Sequence, residues 1–141
     1  MKSLYADYKT NDTAEVEGIW MALGETDDGQ QIAVKVKRAG GENSEFEKAM
    51  TLGMKPYRLA IQAGNFPSKK MVPIIAKAYA KTVLVDWKNV ADEDGNPMDF
   101  TIDNATKLLT DLPVLLDRIA EFASDMRSFR DAEREEDAKN L

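Results

Sequence analysis

The chain has 141 residues, 43% of them apolar and 31% charged, with a formal net charge of −6. That balance fits one soluble globular domain with a modest core, and it opposes both global disorder and broad phosphate-backbone binding. With no cysteine and no histidine, the chain has no disulfide or thiolate, and it lacks the commonest general base and metal ligand, so any catalysis would fall to carboxylates, lysine or tyrosine.

Residues 1–13 carry little apolar pattern and are expected to form a flexible arm, pinned by Tyr5 or Tyr8. This start lacks the apolar run of a signal peptide, and no window is apolar enough to span a membrane. A cytoplasmic protein is therefore expected.

Residues 14–39 read as a β-hairpin around Asp28-Gly29. In its second strand Ile32, Val34 and Val36 share one face and Lys35 and Lys37 the other. In the first strand Val16, Gly18 and Trp20 face one way, and Ile19, Met21 and Leu23 the other. That strand is either covered on both sides or keeps one side for a partner.

Residues 44–129 read as a helical body. Ser44 and Glu47 have capping-box spacing, with Phe46, Ala49 and Met50 as the apolar stripe behind them. Pro56 suits the first turn of a second short helix. Ser68 is the expected cap of a longer helix over 69–87, where Ile75, Tyr79, Val83 and Trp87 recur every four residues. The β-branched end "TVLVDW" could also become extended. Thr101 or Asp103 is expected to cap the next helix, and Asp111 and Pro113 to start the last. In the last helix Leu112, Leu115, Ile119, Phe122, Met126 and Phe129 follow heptad spacing. From 130 to 141 the sequence is charged, either a solvated helical end or a tail that folds on a partner.

The acids of "ADEDGNP" invite a calcium reading. With Gly95 at the sixth position of an EF-hand loop, Val90 falls at the first and Thr101 at the twelfth, and neither is a suitable ligand. The stretch reads instead as a turn. No phosphate-binding glycine motif or nucleophile elbow is present, so no enzyme activity, cofactor or metal is expected. The heptad seam can be core or interface. Trp20 and Trp87 can be packing anchors or binding hot spots.

From Trp87 onward, the order of the pieces resembles the tail assembly chaperones of long-tailed bacteriophages. The pieces are Trp87 closing an apolar helix, the Asp94-Gly95-Asn96-Pro97 turn, Phe100-Thr101, Leu112-Pro113, Ile119, Ala123, Phe129 and a charged end. "EGIWMAL", an acidic turn, "IAVKVKRA" and "EFEKAM" extend the likeness to residues 14–130, although "RAGGENSEF" makes a longer strand-to-helix link than the compact form. The resemblance implies a non-enzymatic protein that binds the tape measure protein, helps recruit tail tube subunits in the host cytoplasm and is absent from the mature virion. The acidic composition and the lack of an apolar span predict no nucleic-acid or membrane partner. The alternatives are a structural minor tail protein or a small adaptor or inhibitor.

The expected architecture is α+β, an N-terminal β-hairpin packed on about four or five helices. Expected client contacts are Leu115, Ile119, Phe122, Met126 and Phe129 of the seam, with Ile19 and Met21 of the first strand. Trp20, Trp87, Gly95 and Pro97 are expected as structural anchors. The two-faced strand and the seam also favour self-association.

Overall fold

Ile32, Val34 and Val36 alternate with polar neighbours, and the backbone follows that period. Strand β2 (Gln31–Val36) pairs antiparallel with β1 (Ile19–Glu25) across the turn that carries Asp28-Gly29. In this computed structural model, which describes residues 1 and 3–130, β2 is the central strand of three. The charged segment beyond Arg130 lies outside the described residues.

The third strand, β3 (Leu84–Lys88), corrects the expected helix over 69–87. The helix α5 (Ser68–Thr82) stops where Thr82, Val83 and Val85 bring β-branched side chains together. The pairing of β2 with β3 shifts register between Lys35 and Val36, so Val85 bulges. That one extra residue lets both Leu84 and Trp87 face inward, although they lie three apart. The inner face of the sheet is Ile19, Met21, Val34, Val36, Leu84 and Trp87, all buried.

The segment before β1 is also corrected. Residues 14–17 belong to helix α2 (Asp12–Glu17), which follows helix α1 (Leu4–Tyr8). Asn11 caps α2 by accepting from the Ala14 N–H at 2.9 Å. Gly18 then turns the chain into β1 at φ 93°, and a Cβ there would sit 3.0 Å from the Val36 carbonyl oxygen. Val16 is therefore an exposed helical residue and shares no strand face with Trp20.

After the sheet's first two strands comes α3 (Ser44–Met54), then a 3-10 turn (Lys55–Tyr57) and α4 (Arg58–Gln62). Beyond β3 lie α6 (Ile102–Asp111), α7 (Pro113–Ser124) and a final 3-10 turn (Met126–Phe129). The class is α+β as expected: α1 and α2 precede the hairpin, and five helices, α3 to α7, make up the helical body after it. Thr101 caps α6 as expected. Asp111 instead ends α6, and Leu112 precedes Pro113 at the start of α7.

One core unites the layers. Ala76, Tyr79, Ala80 and Val83 meet Ala105 and Leu109 of α6, then Leu116, Ile119 and Ala123 of α7, over the inner face of the sheet. The small residues on α5 and α6 let the two backbones approach closely. Burial of this apolar surface supplies the main favourable term in folding.

Asn43 joins three segments. Its side chain accepts from the Phe46 N–H at 3.2 Å, capping α3, and donates to the carbonyls of Arg38 at 2.9 Å and Thr82 at 3.0 Å. Asn43 therefore takes the capping role expected of Ser44. Replacing it with alanine is expected to cost about 2 kcal/mol, because a cap is lost and two carbonyls lose a donor. Asn43→Asp keeps the acceptor but not the donor, so urea denaturation should place it below wild type as well.

Candidate functional site

The heptad seam does not form one helical stripe. Asp125 takes an extended backbone, φ −83° and ψ 114°, and ends α7. Its side chain then caps the 3-10 turn by accepting from the Arg127 N–H at 2.9 Å. The Arg127 guanidinium and N–H together hold the Asp125 carboxyl below its ordinary value.

The break redirects the chain, so Ile119 and Phe129 are fully buried in the core, while Leu115 and Phe122 are only partly buried against it. Ile19 and Met21 are buried too. Ile119, Phe129, Ile19 and Met21, expected as client contacts, have their apolar surface packed inside the fold. Met126 opens the 3-10 turn, and its side chain lies outside the described residues. Leu112, at the head of the seam, and Val114 beside it are exposed.

The four expected anchors differ in what they do. Trp87 is buried, donates from Nε1 to the Met98 carbonyl at 2.7 Å, and meets Phe100 edge to face at 5.1 Å between centroids. Gly95 closes a small loop at φ 81°, and Pro97 bridges back to Ala91. Asp92 holds that loop by accepting from the N–H groups of Asp94 at 3.0 Å and Asn96 at 2.9 Å. Trp20 is half-buried on the outer face of the sheet, with the Lys88 ammonium 4.3 Å from its ring centre.

Among the described residues, no group of three or more histidine, cysteine, aspartate or glutamate side chains is placed to hold a metal. A groove of about 710 Å³ beside the 92–99 loop is lined by Asp92, Glu93, Asp94, Asp99 and Asp111, with Lys107 among them. Lys107 pairs with Asp111 at 2.7 Å, and that bond raises its pKa. The Tyr79 hydroxyl is pushed above its ordinary 10.0 by burial, partly offset by its hydrogen bond with Ser124. No helix among the described residues is long and apolar enough to cross a membrane.

The apolar surface left open lies elsewhere. No residue of α3, the Lys55–Tyr57 turn or α4 is fully buried. This arm is held by Phe46 edge to face on Tyr79 at 5.0 Å, by the Tyr57–Phe66 stack at 4.8 Å, and by the crossing of α3 over α5. Leu52 is 68% exposed and Leu59 79%. Between α3 and α5 runs a groove of about 440 Å³, whose lining includes Leu52, Gly53, Ile74, Ala78, Lys77 and Lys81. Gly53 lets α3 and α5 cross closely there, because a Cβ would come within 2.7 Å of the Ile74 methyl group Cγ2. A second small apolar patch is formed by Leu4, Tyr5 and Tyr8 of α1.

Attention to aromatic and heptad positions missed the α3–α5 groove. The sequence does carry a signal for it. Residues 48–85 contain seven basic residues and no acid, in a chain of net charge −6. Such segregation marks a face and not a fold element.

Residues 41–140 match a family model described as YdaY prophage protein, which covers well over half of the chain. The chain belongs to the YdaY prophage protein family. It is thus a phage-derived protein, and the family match takes in the α3–α5 groove, β3, the 92–97 turn and the last two helices. No curated protein and no solved structure matches the chain.

Proposed function

We propose that this YdaY-family protein is a non-enzymatic tail assembly chaperone that binds the tape measure protein and helps recruit tail tube subunits in the host cytoplasm. Membership of a prophage family and the ordered resemblance from residue 14 to 130 support the reading. The geometry that carries it is the open helical arm. Leu52, Tyr57 and Leu59 stand exposed on elements without a fully buried residue, as a chaperone for a helical client requires. Self-association loses one of its supports, since Ile119 and Phe129 of the seam are spent in the core.

Mass spectrometry tests the reading against that of a minor tail protein. The chain should be abundant in lysates of cells assembling particles and absent from purified particles. Recovery in purified particles at a fixed ratio to the tail tube protein would overturn the chaperone reading.

A further inference from the structure

The groove between α3 and α5 has an apolar floor and a one-signed rim. Ile74, Ala78 and Gly53 form the floor, Leu52 one wall, and the exposed Lys77 and Lys81 the other. Among the described residues neither lysine forms an ion pair with a carboxylate. In sequence the bias is wider, because Lys48, Lys55, Arg58, Lys69 and Lys70 belong to the same acid-free span, although Lys48 already pairs with Glu45 of α3 at 3.8 Å. Lys69 and Lys70 even occupy the first turn of α5, where the helix dipole opposes positive charge. Like charges gathered at some cost to the fold are repaid when an opposite charge docks.

We propose that this groove binds an acidic amphipathic helix of a protein partner. The shape decides for a helix. From Pro73 to Lys81 the α5 wall rises about 12 Å at about 1.5 Å per residue, enough for two turns of a docking helix. Its apolar side chains at i, i+3 or i+4, and i+7 would rest on Ile74 and Ala78 beside Leu52. Carboxylates flanking that stripe would meet Lys77 and Lys81, four residues apart on one face of α5. The walls are helical and offer no strand edge, so an extended peptide would find no backbone pairing there. The groove shares Leu52 with the arm that supports the chaperone reading, so this inference rests on and deepens that reading. A synthetic helix keeps the tests distinct: it reads the groove alone, whereas co-purification reads the tape measure protein.

The experiment titrates the full chain into a labelled synthetic helix about four turns long, with leucines along one stripe and glutamates beside it. Fluorescence anisotropy reads the binding. A twin peptide carries lysine in place of each glutamate, and a short duplex DNA serves as a third probe. Saturable binding of the acidic helix alone is expected. The double change Lys77→Glu, Lys81→Glu should weaken it at least about tenfold, and added salt should weaken the wild-type complex. Leu52→Asp, at an exposed site, should weaken it similarly, while Lys9→Glu on the far N-terminal segment should not. Circular dichroism verifies that each variant is folded. No binding, equal binding of the basic twin, or indifference to the lysine reversal in folded protein would each overturn the proposal. So would duplex DNA bound through the same lysines, or light scattering showing that they hold two copies of this chain together.

Discussion

Replacing Phe129 with alanine is expected to destabilise the native state by about 3–5 kcal/mol, enough to unfold much of a domain of ordinary stability. Phe129 is 0% exposed, although it lies on a 3-10 turn near the end of the described chain. Three things place it there. Asp125 stops α7 and redirects the backbone; the Phe122 ring packs obliquely against it at 6.4 Å; and the Asn11 N–H donates to the Phe129 carbonyl at 2.7 Å. The last contact ties the N-terminal helices to the closing turn, and Arg130 adds a bond from its guanidinium to the Asp7 carbonyl at 3.2 Å. The alanine variant should therefore loosen the first seventeen residues as well as the core. Chemical denaturation gives the stability, and hydrogen exchange at α2 reports the loosening. If Phe129→Ala folds with wild-type stability and loses only client binding, the side chain belongs to an interface and this placement is wrong.

Trp87→Ala should cost a similar amount, about 3–5 kcal/mol. The indole fills the inner face of β3, and its N–H is the donor that satisfies the Met98 carbonyl. Met98 also donates its N–H to the Val90 carbonyl at 2.9 Å, so the loop from Asn89 to Thr101 is folded onto the tryptophan at two levels. Trp87→Phe separates the contributions. It retains an aromatic beside Phe100 but removes the donor and part of the ring volume, so a loss of about 1–3 kcal/mol, smaller than that of the alanine variant, is expected. Equal stability of both variants to wild type in urea would mean that the loop does not depend on the indole.

The two aromatic positions also show what sequence can and cannot reveal here. Trp87 was legible as an anchor because bulk, position after an apolar run and a following turn all agree. Its element was not. Ile75, Tyr79, Val83 and Trp87 keep a four-residue period whether the chain stays helical or leaves α5 and enters a bulged strand, because the bulge at Val85 restores the inward direction of Trp87. Only the β-branched cluster from Thr82 to Val85 distinguished the two, and the pairing partner β2 lies some fifty residues upstream. Phe129 misled in the same manner. Its heptad spacing from Phe122 is real, but Asp125 restarts the chain between them, and capping by a single aspartate competes poorly with a long apolar period on paper.

Local signals succeeded where one chemical group decides the outcome. The alternation of Ile32, Val34 and Val36, the Thr101 cap and Pro113 in the first turn of α7 were all legible. The same logic was available for Asn11 and Gly18, which bracket α2, yet the alternation of Val16, Gly18 and Trp20 outweighed it and suggested a strand. The α3–α5 groove follows a different rule. It arises from two helices crossing at Gly53, a long-range event, while its charge was visible all along as an acid-free run.

As proposed above, this phage-derived chain would keep a helical client soluble. Co-expression with the tape measure protein of the same phage tests it most directly, by the fraction of that protein recovered in the soluble lysate and in complex with a tagged copy of the chain. The tape measure protein is expected to become soluble and to co-purify only when the chain is present. Equal aggregation with and without it would rule out the chaperone role.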